Sequence, residues 1–353
     1  MKLFSRTLLI CSALFVAPVA FCSNQISGGV WFNYENVKHD KDSNGNLGNE
    51  AFVLYADGKA DKDKGNWSYS AELRVGPGSF TDVDNNSTGD NVTLHKAWIG
   101  FDLSENNKIL IGKSQVPFGW KTINFWPGDM LEAGYGDQMD TGVKLISSVK
   151  GVDVNLAYFL ADDWGKTSTD TTDDNRHWGS STSYRKIKTG VVDVQYPLTE
   201  HQRIGASIQS GKLEDLISNQ ADGKHSAWAL YYLGQFGNFY TKAEYIDAQR
   251  TLPESYVQQQ NLTVSEIKNQ RLAFEMGYKW DEWNFYVDMT QAKPDTEGST
   301  ADTVTAWAPG ITYNYGPGWI YLEYLDQNGY VDRNGQVFEG DFAATYLSFD
   351  FYF

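Results

Sequence analysis

RLAFEMGYKWDEWNFYVDM, residues 271–289, decides what kind of fold this chain builds. Leu272, Phe274, Met276 and Tyr278 fall on one parity, with Arg271 and Glu275 on the other. After the short connection Lys279–Trp283 the pattern resumes. Trp283, Phe285, Val287 and Met289 alternate with Asn284, Tyr286 and Asp288. A period of two belongs to β-strands, and so short a connection makes the pair antiparallel. One face of this hairpin is apolar and the other polar.

The same pattern recurs along the chain. Trp67, Tyr69, Ala71, Leu73 and Val75 oppose Ser68, Ser70, Glu72 and Arg74, and Val152, Val154, Leu156, Tyr158 and Leu160 oppose Asp153 and Asn155. About sixteen such segments can be marked: 27–37, 49–59, 66–76, 91–103, 107–114, 140–148, 150–161 and 183–197. The others are 202–212, 224–235, 237–249, 268–280, 282–292, 301–314, 317–327 and 341–353. A soluble antiparallel sheet with one wet face would also alternate. The rhythm of the connections separates the two cases. Long connections at 38–48, 77–90, 115–139, 162–182, 213–223, 250–267, 293–300 and 328–340 alternate with short ones such as Ser104–Asn107, Pro197–His201 and Tyr313–Gly318. Strands of about ten residues joined in this way form a transmembrane antiparallel β-barrel, with short periplasmic turns and long outer loops. An even strand number then places both termini on the periplasmic side. The first turn, Lys59–Asn66, is longer and more charged than its counterparts.

Composition agrees. Mean hydropathy is −0.46 and no apolar run past the N-terminal segment is long enough for a helical span. Residues 1–22 carry Lys2 and Arg6, then an apolar run from Leu8 to Val16, then small residues. That is the pattern of a secretory signal peptide, with cleavage expected after Cys22 and a barrel domain over 23–353. Phe21 is bulky where a lipoprotein signal needs a small residue. The only cysteines are Cys11 and Cys22, so the barrel holds no disulfide. Formal net charge is −16, and becomes −18 once Lys2 and Arg6 are removed, which excludes nucleic acid as a partner. Aromatics at 15% and 33 glycines suit interface girdles and tight turns. In the last strand Thr345, Leu347, Phe349, Phe351 and Phe353 face one way, against Tyr346, Ser348, Asp350 and Tyr352. Phe353 is expected to close the barrel against the first strand in the periplasmic girdle, because lipid tolerates no open sheet edge.

One stretch breaks the rhythm. GKSQVPFGWKTINFWPGDMLEAGYGDQMDTG, 112–142, has no period of two, two prolines, and many aromatics. A connection this long is functional or disordered, and its aromatic content argues for order. It reads as a loop folded into the lumen that narrows the pore.

KAWIGFD (96–102), GKSQVPFG (112–119) and the terminal aromatic strand resemble the Gram-negative outer-membrane porins, nearest to the phosphate-selective porin O/P-like group. The resemblance implies a sixteen-stranded barrel, assembled as a homotrimer, whose third long loop forms a constriction. It also implies lipid and lipopolysaccharide as surroundings. Relatives selective for anions have basic pores, whereas this chain is acidic.

The expected constriction sets loop acids Asp129, Glu132, Asp137 and Asp140 against wall cations Arg74, Lys96, Lys113 and Lys144, a transverse field across water. Lys113 shares its parity with Ile109 and Ile111. Glu72, Glu244, Glu275 and Asp288 also point inward, so acids outnumber bases and a mild cation preference is expected. Trp120, Phe125, Trp126 and Tyr135 read first as pins holding the loop to the wall and second as sugar-stacking platforms. HDKDSNGNLGNEA (39–51) approaches a calcium loop at Asp40, Asp42, Asn44 and Gly45, but position twelve is Ala51, and a polar hairpin tip is the simpler reading. Asp82, Asp84 and Asp90 read as solvated. The histidines, His39, His95, His177, His201 and His225, form no metal-type cluster with cysteine and no local triad, so neither enzyme nor cofactor is expected. Three functions stay in view. They are a diffusion channel for small hydrophilic solutes, a selective channel for an oligosaccharide or for phosphate and other anions, and a plugged structural, adhesive or enzymatic barrel.

Overall fold

The computed structural model describes residues 22–38, 45–61, 63, 65–79, 92–120, 131, 138–162, 184–332 and 334–353. Sixteen strands run in chain order: β1 (Cys22–Val37), β2 (Asn46–Ala60), β3 (Trp67–Val75), β4 (Val92–Ser104), β5 (Asn107–Gln115), β6 (Met139–Val149), β7 (Val152–Ala161) and β8 (Tyr184–Thr199). They continue as β9 (Gln202–Asp215), β10 (Gly223–Phe236), β11 (Phe239–Thr251), β12 (Glu266–Trp280), β13 (Trp283–Pro294), β14 (Val304–Asn314), β15 (Trp319–Val331) and β16 (Val337–Tyr352). One short helix, α1 (Glu254–Gln259), sits between β11 and β12. Each strand pairs antiparallel with the next and β16 closes on β1 in the register Gly29↔Tyr352 to Val37↔Ala344. Phe353 completes the seam by exchanging both backbone hydrogen bonds with Gly28, each 2.9 Å. Its exposed ring lies 6.4 Å from that of Phe52.

Burial is inverted relative to a soluble domain. The exposed face carries Phe52, Ile99, Ile111, Leu156, Leu230, Leu272, Phe274, Val287 and Leu322. The inward face carries Asn33, Ser70, Glu72, Arg74, Asp193, Gln209, Glu244, Arg271, Glu275 and Asp288. Only lipid makes such an exterior favourable; each fully covered Leu or Phe contributes roughly 1.5–3 kcal/mol there and nothing in water. Turns at the short end are tight. Lys150 and Gly151 join β6 to β7 with φ of 53° and 82°, the two positive angles that a type I′ hairpin requires.

All sixteen expected strands are present, several with longer ends. β1 starts at Cys22 rather than 27, paired with Ala60, while its pairing with β16 begins only at Gly29. The start of β1 therefore extends past the end of β16 and is paired on the β2 side, while β2 stays paired with β3 down to Lys59↔Ser68. The described residues Asp61, Asp63, Gly65 and Asn66 of the first short-end turn join β2 to β3. At the opposite end β15 runs to Val331 and β16 begins at Val337, where the expected bounds were 327 and 341. Outside the belt neither face need be apolar, so periodicity fades before the hydrogen bonding does.

Candidate functional site: an inner loop and a charged wall

The inner loop leaves the sheet at the end of β5. Gly112 has φ +125°, and a Cβ there would lie 2.3 Å from the Ala97 carbonyl oxygen, so only glycine fits. This break in the pleat accompanies the complete burial of Lys113, whose parity alone would set it facing lipid. Lys144 donates from Nζ to the Gln115 carbonyl (2.7 Å), and the Val116 N–H donates to the Gln138 carbonyl (2.9 Å), which closes the root. Asp140, opposite Ser114, is buried in the same root.

Beyond the root the chain crosses the inner wall. Val116 and Phe118 pack with Ala157 and Phe159 of β7, Val191 of β8, Ala227 and Ala229 of β10, and Ile246 of β11. The Gly119 N–H donates to Ser207 Oγ (3.0 Å) on β9 and the Trp120 N–H to Glu244 Oε1 (3.2 Å) on β11. Trp120 is buried with Tyr231, Ala273 and Leu233, and Lys242 Nζ stands 5.1 Å from the centre of its ring. Leu131 belongs to a different cluster, with Ala292, Val304, Ala306, Ala308, Leu325, Ala344 and Tyr346 on β13–β16. The loop thus touches the interior of the barrel on both of these arcs. Of the other expected loop residues, Asp129, Glu132, Asp137, Phe125, Trp126 and Tyr135 lie outside the described residues. So do Asp40, Asp42, Asn44, Asp82, Asp84 and Asp90.

A cationic group occupies β3 and β4. Arg74 Nε lies 2.7 Å from Glu72 Oε1 and Lys96 Nζ 3.8 Å from Glu72 Oε2. A register shift opposite Glu72 and Leu73 places His95 on the inner side beside Lys96. Arg74 also stacks over Trp31 at 5.5 Å. Lys96, with 24% of its side chain exposed, is the more open of the two cations.

Inward acids also occur on β8 to β16, and only some of them are expected from the sequence. Glu244, Glu275 and Asp288 are; Asp193, Glu323 and the role of Asp350 are not. Asp193 accepts hydrogen bonds from Tyr231 Oη (2.6 Å), Ser207 Oγ (2.8 Å) and Asn155 Nδ2 (3.1 Å). Glu275 pairs with Lys242 at 2.8 Å, Glu323 accepts from Tyr286 Oη at 2.7 Å, and Asp350 accepts from the Trp319 N–H at 2.6 Å. Parity within VVDVQY and YLEYLD carries the signal for Asp193 and Glu323; their partners lie on other strands. The interior is lined by charges of both signs: Arg74, Glu72 and Lys96 on β3–β4, and on β8–β16 the acids above together with the cations Arg185, Lys186, Lys242, Arg250 and Arg271. Among the described residues no group of three or more His, Cys, Asp or Glu is placed to hold a metal.

No family model and no curated protein sequence matches this chain. Solved structures do. OmpT, an outer membrane protein of Vibrio cholerae in its trimer form, is 13% identical, with 95% of this chain and 100% of that one covered at a TM-score of 0.64. The fold is that of a porin. An anion-selective porin from Comamonas acidovorans superposes with TM-score 0.62 at 12% identity, covering 94% of this chain and all of the other. Salmonella typhi OmpF, in complex with daunomycin, gives the same score and identity over 94% and 97% of the two chains. Nothing in these likenesses singles out the phosphate-selective group.

Proposed function

We propose that the chain is an outer-membrane porin of a Gram-negative cell, a water-filled channel for passive diffusion of small hydrophilic solutes and ions. The observation that carries this reading is the inverted burial, apolar outside and charged inside, around a loop whose root runs along the lumen wall. Arg74, Lys96 and Lys144 form one side of the constriction. Asp129, Glu132 and Asp137 form the other, while Lys113 and Asp140 brace the loop root. Trp120 is a pin, and Phe125, Trp126 and Tyr135 share that role. Inward acids outnumber inward bases, so the channel prefers cations mildly. Residues 1–22 direct export and are removed. The mature barrel is a homotrimer in lipid and lipopolysaccharide, a state supported by the trimer form of the Vibrio neighbour.

A second reading is a channel selective for phosphate or other anions. It draws on the half-buried Lys96 and on the anion-selective neighbour. Planar-bilayer recording with purified protein tests both readings. Ohmic steps in KCl are expected, with a reversal potential in a salt gradient on the cation side. Absence of conductance would return the barrel to a plugged, structural role.

A further inference from the structure

Side chains from opposite sides of the barrel meet over its long-loop mouth. Tyr184 begins β8 and Asn334 lies in the turn between β15 and β16, about half the ring away. Sixteen strands spaced about 4.8 Å apart and tilted about 40° enclose a ring on the order of 30 Å across. Even so, Tyr184 Oη donates to Asn334 Oδ1 at 2.9 Å. The tip of the β15–β16 hairpin must therefore lean inward over the lumen.

Several contacts hold it there. Tyr256 of α1 donates to the same Asn334 oxygen at 3.3 Å, and its ring meets Tyr184 edge-on with centroids 4.9 Å apart. Asn269 of β12 donates from Nδ2 to the Gly335 carbonyl at 2.6 Å, and is itself fixed by Arg271 Nε at 2.7 Å. Leu213, Leu252 and Ile267 form an apolar bed beneath both tyrosines. Asp332 Oδ1 sets the turn by accepting the N–H groups of Asn334 (2.9 Å) and Gln336 (2.8 Å). A buried tie with this many satisfied partners is a fixed chord and not a chance contact.

We infer that this strap is a second size filter, which divides the long-loop mouth and limits the cross-section of solutes that reach the constriction. The inference rests on the channel reading. Because the tie itself is built from neutral hydroxyl and amide groups, it discriminates by size and leaves ion preference to the wall charges. The test is liposome swelling with an uncharged trisaccharide against glycerol, alongside bilayer conductance in KCl. Y184F/Y256F keeps both rings and their packing while removing the two hydroxyl donors; N334A removes the shared acceptor. In both variants the trisaccharide-to-glycerol rate ratio should rise several-fold with the reversal potential unchanged. An unchanged ratio in either variant that still conducts overturns the filter alone. A wild-type protein that conducts nothing in KCl removes the channel reading, and the filter with it.

Discussion

At the scale of single residues the decisive positions are glycines and buried acids whose neighbours come from far along the chain. Gly119 has φ +65°, and a Cβ there would fall 2.0 Å from Glu244 Oε1. Gly119→Ala therefore displaces the carboxylate that receives the Trp120 N–H. The left-handed conformation costs about 1–2 kcal/mol and the lost buried hydrogen bond a similar amount, so the loop root loosens. Single-channel noise should increase and protease should cut the loop faster, while strand content by circular dichroism stays the same. Asp332, in the β15–β16 turn, makes a different point. Burial pushes its carboxyl above the usual range, against the N–H groups of Gln336 and Asn334 and the Arg250 charge, which favour ionisation. A raised folded-state value means that the native state holds the proton more tightly than the unfolded chain does. Its contribution is then fully present below the unfolded value and is lost as pH rises through the folded one. At neutral pH the ionised group is a cost. Asp332→Asn keeps an acceptor without that charge and should raise the unfolding temperature, whereas Asp332→Ala should lower it. Glu244 does not announce its partner in sequence, because nothing local links position 119 to 244; Asp332 has its hydrogen-bond partners close by, at Asn334 and Gln336, but not the Arg250 charge.

Elements were far more legible. Each strand within the belt alternates because lipid on one side and water on the other leave no alternative, so existence, order and facing could be read from spacing alone. Leu156 and Asn155 illustrate the facing. Leu156→Lys places a charge in the belt at roughly 2–4 kcal/mol and should reduce the assembled fraction in membranes; Asn155→Lys, pointing into the lumen, should assemble. What periodicity could not show is where it slips. The shift opposite Glu72 and the flip at Gly112 each move a charged side chain without altering the composition of the stretch. It was equally silent about a device repeated between paired strands. Tyr231 lies flat over Gly205, Tyr240 over Gly277 and Tyr286 over Gly310, each directly across the ladder. A glycine with no side chain exposes backbone and weakens a strand, and a ring laid over it restores the burial. Gly310→Val would drive a Cβ to 2.4 Å from the Tyr286 ring and dislodge its hydrogen bond to Glu323. A loss of about 2–4 kcal/mol follows from overpacking plus the unpaired carboxylate, readable as a lower temperature of unfolding on semi-native gels.

For the whole molecule the question is which charges set ion preference. The formal net charge of −16 does not answer it, since it sums every acid and base of the chain wherever each lies. At physiological ionic strength the Debye length is about 8 Å, so charges at the mouths are screened from an ion in the constriction. Inside, low-dielectric walls concentrate the field of the nearest groups. The β3–β4 wall supplies Arg74 and Lys96 against a single Glu72, a local surplus of one positive charge. Many of the other inward acids are already engaged: Glu275 with Lys242, Asp193 with three donors, Glu323 with Tyr286. Their field still reaches the lumen, but weakened by those partners. In the channel as proposed, the balance then turns on the loop acids Asp129 and Glu132. Neutralising both, as D129N/E132Q, should move the reversal potential in a salt gradient toward the anion side. R74Q/K96Q should move it the other way and raise cation preference above that of the unmodified channel. Opposite shifts of comparable size locate the selectivity in one transverse field between loop and wall. A clear anion preference in the unmodified protein would instead give Arg74 and Lys96 the controlling role and restore the phosphate-channel reading.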